Sequence, residues 1–180
     1  EAPMRIEWNH FYKDRLIEAA KEMAVAARTA PKGRGRDQLH LLILTAPERE
    51  VLAETMREIG EKEDILIFKR DSDGVGNAPV LFLAGTETSP LEVPFCGYCG
   101  LADCRENRET EDIPCAFSSG DLGIALGSAA ALAARMHIDS RIMFTAGKAA
   151  IHSGFFPPAV KIAYGMPLSA TGKNPFFDRK

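Results

Sequence analysis

All the cysteines of this 180-residue chain fall inside one stretch, PFCGYCGLADCRENRETEDIPC, as Cys96, Cys99, Cys104 and Cys115. The C-x2-C-x4-C-x10-C spacing restricts the fold in two ways. A segment that must turn four thiolates toward one centre cannot run as a plain strand, and the rest of the chain has to build its core without cross-links. Four thiolates complete the coordination of a zinc ion or an iron–sulfur cluster. Gly97 and Gly100 each follow a cysteine. There a missing side chain lets a backbone N–H turn toward sulfur, a contact that tunes a cluster's potential.

The spacing lacks the two close C-x2-C knuckles of a zinc ribbon. It is also neither the C-x2-C-x2-C run nor the plant-type C-x4-C-x2-C run of known ferredoxins. A single loop wrapping a bulky inorganic core suits the two glycines, so an iron–sulfur cluster leads, with structural zinc and metal-free thiols as alternatives. Asp103, Glu106, Glu109, Glu111 and Asp112 alternate with Arg105 and Arg108 and read as a solvated loop.

The length suits a single domain, residues 1–180, with 94–117 as a cysteine-rich metal-binding loop inside it. A net charge of −3 gives no reason to expect a nucleic-acid partner. No apolar run reads as membrane-spanning: the small-residue stretch 120–134 is short and begins beside Asp121, and no signal-peptide core opens the chain. The expectation is a cytoplasmic, reducing setting, where clustered cysteines point to metal or catalysis before disulfides.

Periodicity predicts a helix over 11–30, with Leu16, Ala20, Met23, Ala24 and Ala27 on one face, ended by Pro31 and Gly33. A strand is expected at Leu39–Thr45, then a helix opened by Pro47 and ended by Gly60. Asp64–Lys69 reads as a short strand, Asp71–Asn77 as a mobile turn and Pro79–Gly85 as a strand. The cysteine segment shows little regular pattern. Ser118, Ser119 and Asp121 offer caps for a long helix to Met136, whose glycines and alanines allow close approach by another helix. Arg141–Thr145 and Val160–Gly165 are further strand candidates. The sum is an α+β fold with a mixed central sheet and packed helices.

A second constellation is basic: Arg28, Lys32, Arg34 and Arg36 crowd the end of the first helix. They read either as a cap on the helix's negative end or as an anion cradle. Lys173 and Arg179 flank two phenylalanines in the tail, as a surface strap or a second anion clamp. Gly147-Lys148 lacks the rest of a phosphate-binding loop. His10, His40, His137 and His152 are scattered, and no catalytic triad or carboxylate pair stands out.

AARTAPKGRGRD (26–37), CGYCGLADC (96–104), DLGIALGSAAALAARM (121–136) and GMPLSATGKNPFFDR (165–179) resemble an uncharacterised prokaryotic family described as containing a ferredoxin domain. That resemblance implies an iron–sulfur centre on Cys96, Cys99, Cys104 and Cys115. The order of elements also resembles a minimal nitroreductase-type flavoprotein, through Ala27-Arg28-Thr29-Ala30-Pro31 before a strand and a D-x-G-I-A-like helix from Asp121. This second resemblance implies a homodimer with FMN at the subunit interface, with Arg28, Lys32 and Gly33 as flavin contacts and Lys173 or Arg179 near the phosphate. WNHFYKDRL stands where that family carries its arginine-rich motif, and Lys32 where it carries a small polar residue. Together the readings point to a redox protein in electron transfer or reductase chemistry, serving a partner protein or a small-molecule acceptor. The alternatives are a non-enzymatic zinc-stapled binding or assembly module and a thiol redox sensor.

Overall fold

The computed structural model describes residues 5–110 and 113–177. Expectations for Glu111, Asp112 and Arg179 fall outside them. Helix α1 (Trp8–Thr29) turns Leu16, Ala19, Ala20, Met23 and Ala27 to one face, and all five are buried. It stops where Ala30 goes extended ahead of Pro31. The Lys32 ammonium folds back on the last turn, donating to the carbonyls of Ala27 (3.3 Å), Arg28 (2.6 Å) and Ala30 (2.8 Å). A cation there meets the negative end of the helix dipole.

Strand β1 (Leu39–Leu44) leads to helices α2 (Glu48–Lys62) and α3 (Leu66–Asn77), then to strand β2 (Val80–Glu87). A short helix α4 (Cys104–Glu109) and the long α5 (Ala116–Arg135) precede β3 (Asp139–Ser140), α6 (Phe144–His152) and β4 (Val160–Ser169). The sheet order is β1-β2-β4-β3. The expected α+β architecture is present. The sheet expected to be mixed is antiparallel in every described pairing, because β2 meets both β1 and β4 running the opposite way.

Strand β2 is buried along nearly its whole length, so its two faces divide the core by a period of two. Val80, Phe82 and Ala84 face α1 and α5, with Leu122, Ala125, Leu126 and Ala129 opposite. Leu81 and Leu83 face the other layer, with Leu52 and Met56 of α2, Phe68 and Val75 of α3, and Ala146, Ala149 and Ala150 of α6.

Two expected strands are corrected. Asp64–Lys69 and the turn expected at Asp71–Asn77 largely merge into α3, in which Phe68, Asp71, Ser72 and Val75 line a buried helical face. Buried Asp71 accepts the Thr145 hydroxyl at 2.7 Å, which ties α3 to α6. Gly60, expected to end α2, lies inside it. A Cβ there would stand 2.9 Å from the Lys69 amide nitrogen, so its absence lets α3 cross closely. Arg141–Thr145 is not a strand: Met143 makes one bridge with Gly165, and Phe144 then opens α6.

Helix α5 starts at Ala116 with Cys115 as its N-cap, ahead of the serines and aspartate expected to cap it. By length and composition α5 could cross a membrane, contrary to the reading of its sequence. Here its inner face packs on α1 and the sheet, while Gly120, Gly123, Ile124, Gly127, Ala131 and Ala134 are exposed.

Candidate metal centre

The cysteines lie on an arm between β2 and α5, and the best-held of them is Cys115, 7% exposed. Its amide donates to the Thr88 carbonyl at 3.1 Å, pinning the end of the arm to its beginning. Burial pushes the Cys115 thiol up, but the amide N–H groups of Ser118, Leu91 and Phe117 and the Ser118 hydroxyl outweigh it, leaving the thiol below its ordinary value. Two of those amides belong to the first turn of α5, where backbone donors lack helical partners. The Ser118 hydroxyl is also within hydrogen-bonding distance of Gln38 Oε1 (2.9 Å) and the Ser89 carbonyl (3.1 Å).

Cys104 is the first residue of α4, a helix too short to declare itself by periodicity. Asp103 caps it, its Oδ1 accepting the amides of Arg105 and Glu106 at 2.9 Å each. Glu106 accepts the Ala102 amide at 2.7 Å. The run D-C-R-E is close to the capping-box signature, the local signal that could have found α4. Cys96 and Cys99 sit on the outer turns, half-buried. Gly97 and Gly100 there have positive φ of 67° and 90°, the left-handed backbone that glycine adopts without strain. Asn107 of α4 is buried, and its side-chain amide donates to Cys99 Sγ at 3.7 Å and to the Ile113 carbonyl at 3.0 Å.

All four cysteines are free thiols. Among the described residues no group of three or more His, Cys, Asp or Glu side chains is arranged to hold a metal ion. The four cysteines, the residue type that a thiolate-ligated centre requires, share one arm, and the Asn107 side-chain amide donates to the sulfur of Cys99.

The basic loop after α1 grips the base of this arm. Arg34 donates to the carbonyls of Leu91 (3.1 Å) and Glu92 (2.6 Å), and Gln38 to that of Ser89 (3.4 Å). Arg36 reaches the Pro90 carbonyl at 3.5 Å. The Leu91 side chain lies against Gly33, where a Cβ would stand 2.5 Å from its Cδ1. Arg34→Ala is expected to leave the core folded but to raise the rate of proteolytic cleavage in the arm on the order of tenfold, the equivalent of two modest hydrogen bonds. Limited proteolysis checks it, and an unchanged cleavage rate would show that the clasp carries no stability.

The residues inferred as flavin contacts are committed within the chain. Arg28 pairs with Asp37 at 2.6 Å and donates to the Leu39 carbonyl at 3.1 Å. Burial raises the Asp37 carboxyl, but that bond, the Leu39 amide and the charges of Arg28 and Lys32 together hold it below its usual value. Lys32 caps α1 as described, and the Gly33 amide donates to Asp121 Oδ2 at 2.9 Å. Lys173 lines a cavity of about 970 Å³ with Arg70, Asp73, Arg141, Phe176 and Phe177.

A family model described as "uncharacterized protein containing a ferredoxin domain" matches residues 111–179, which include Cys115. An uncharacterised protein of Archaeoglobus fulgidus is 39% identical over 183 residues, covering 98% of each chain. Among solved structures, a nitroreductase with bound FMN from Desulfitobacterium hafniense aligns with TM-score 0.60 at 16% identity, covering 96% of this chain and 82% of that one. The nitroreductase CinD of Lactococcus lactis, in complex with nicotinic acid, aligns with TM-score 0.60 at 16% identity, covering 89% of this chain and 79% of its own. At that identity the likeness establishes the fold alone: this chain has the nitroreductase fold with a cysteine-bearing arm.

Proposed function

The chain belongs to the family of uncharacterised proteins containing a ferredoxin domain, and from that premise we propose that it is an electron-transfer protein whose arm binds an iron–sulfur cluster. The observation that carries the reading is the setting of Cys115. A buried sulfur stands at the N-cap of a long helix, where neighbouring backbone amides hold its thiol below the ordinary value. Cys96, Cys99 and Cys104 supply the remaining ligands from the arm. When bound, a cluster supplies one-electron chemistry.

The chain's own residues contribute four things. The thiolates hold the centre, and the N–H donors offset negative charge on the sulfurs. Tyr98 stacks on Phe117, with ring centroids 5.8 Å apart and planes 10° from parallel, which brings an outer turn of the arm over the start of α5. Arg34, Arg36 and Gln38 hold the arm's base to the core. The nitroreductase fold of the solved neighbours agrees with a redox role.

The test is purification without oxygen, or reconstitution with iron and sulfide, followed by a visible spectrum and iron, sulfide and zinc analysis. Broad absorption near the violet that fades on reduction, with stoichiometric iron and sulfide, is expected. Stoichiometric zinc without iron or sulfide would replace this reading with a stapled loop. A metal-free protein that cycles a disulfide would replace it with a thiol sensor.

The same reading includes a homodimer formed through the exposed, small-residue face of α5, where a Cβ added at Gly120, Gly123 or Gly127 meets nothing within 4 Å. Gly127→Glu is expected to convert the dimer to monomer in light scattering. A wild-type protein that is already monomeric would dismiss the idea.

A further inference from the structure

Strand β1 ends the sheet on one side, and among the described residues no strand lies beyond it. The direction of its backbone groups follows from its register. Leu39 stands opposite Thr86, so Gln38 stands opposite Glu87, and the Glu87 amide donates to the Gln38 carbonyl at 3.1 Å. In an antiparallel pair such bonds alternate. His40, Leu42 and Leu44 therefore bond to β2, while Leu39, Leu41 and Ile43 turn their N–H and C=O groups outward. Both outward groups of Leu39 are taken: its amide donates to Asp37 Oδ1 at 3.1 Å, and its carbonyl accepts from Arg28 at 3.1 Å. At the other end the Thr45 carbonyl accepts the Arg49 amide at 2.9 Å. The open edge is Leu41 and Ile43, centred on Leu42.

The side chains along this edge are apolar on both faces. Leu41 and Ile43 pack against the layer of α1 and α5, Leu42 and Leu44 against that of α2, α3 and α6, and all are only half-buried. No lysine, proline or bulge interrupts the stretch, although these are the devices that keep sheet edges apart.

We infer that β1 pairs with β1 of a second copy of this chain, antiparallel about a two-fold axis at Leu42. Leu41 then exchanges both backbone bonds with the partner's Ile43, and Ile43 with the partner's Leu41, which satisfies every open group. A shift of two residues either way would set an open residue against Leu39 or Thr45, whose groups are already committed. A window closed at both ends and symmetric about one residue suits a copy of itself better than an unrelated strand. The contact uses the sheet edge and leaves the exposed face of α5 alone. One strand edge buries less than the roughly 1,000 Å² of a stable interface, so the pairing builds with protein concentration.

Sedimentation velocity on the full chain carrying Gly127→Glu, in which the α5 face is blocked, reads this contact alone. The mass is expected to rise toward that of two copies as concentration increases. Adding Ile43→Pro is expected to weaken the association about tenfold or more, because proline removes an outward donor and leaves the bonds to β2 intact. A mass that stays at one copy at every concentration overturns the inference and leaves the edge to a strand of another protein. Unchanged association of a folded Ile43→Pro protein overturns it as well. Should either substitution unfold the chain, amide hydrogen exchange of the unsubstituted protein decides. The Leu41 and Ile43 amides are expected to exchange about tenfold more slowly in concentrated than in dilute protein. Exchange of those amides at an unprotected rate in concentrated protein overturns the pairing.

Discussion

Cys115→Ser is expected to lower the metal retained by the reconstituted protein by more than about 100-fold, since losing even a residue that only supports a ligand costs about 10–100-fold at a metal site. A serine hydroxyl is far less acidic than a cysteine thiol, and its hard oxygen is a poor ligand for iron or zinc in a sulfur-rich set. The apo fold should survive, within about 1 kcal/mol of the parent, because the exchange is nearly isosteric and the donors around Cys115 meet an oxygen as readily as a sulfur. Iron and sulfide analysis together with a urea titration separates the two effects. Cys96→Ser, Cys99→Ser and Cys104→Ser should each bleach the visible absorption as well. Retention of the absorption in all four variants would remove the ligand assignment.

The second large effect lies far from the arm. Gly147→Ala is expected to destabilise the protein by about 3 kcal/mol or more, the upper range for overpacking, because backbone must move. A Cβ at Gly147 would stand 1.9 Å from the Ala163 carbonyl oxygen and 2.4 Å from the Tyr164 nitrogen. Facing it, a Cβ on Gly165 would stand 2.6 Å from that of Ala146, so α6 lies on β4 through two glycines. Gly76→Ala in α3 is the control: its Cβ would meet the Ala53 Cβ at an ordinary 3.6 Å, and helix propensity favours alanine by up to about 1 kcal/mol. Urea midpoints measure both. A Gly147→Ala protein as stable as its parent would mean that α6 does not approach β4 this closely. Gly147 is thereby explained by packing.

Much of the scaffold was legible because its signals are local. The buried stripe from Leu16 to Ala27, the apolar runs at β1, β2 and β4, and the small-residue period of α5 each declare an element within a few turns. Helix α3 was misread because Ile65-Leu66-Ile67-Phe68 looks like a strand and Gly74 and Gly76 look like a turn. Burial of Asp71 through a Thr145 hydroxyl 74 residues away settles it as a helix, and no local window contains that contact. At the site, the four ligand candidates were legible from spacing and Ser118 as a helix-cap candidate, whereas Leu91 and Asn107 were not, since an ordinary leucine or asparagine carries no pattern. Arg28, Lys32 and Gly33 were legible as a charged loop, but their partners were not.

By itself the sequence determined the chemistry on offer, four soft ligands on one glycine-bearing arm, and the periods of most helices and strands, because both depend on residue type and near spacing. Only the tertiary structure decided that the Cys115 amide reaches the Thr88 carbonyl while Arg34, 57 residues from Leu91, grips the Leu91 carbonyl. Such contacts are set by how α1, β2 and α5 pack, and packing is a property of the assembled core that no short stretch of the chain contains.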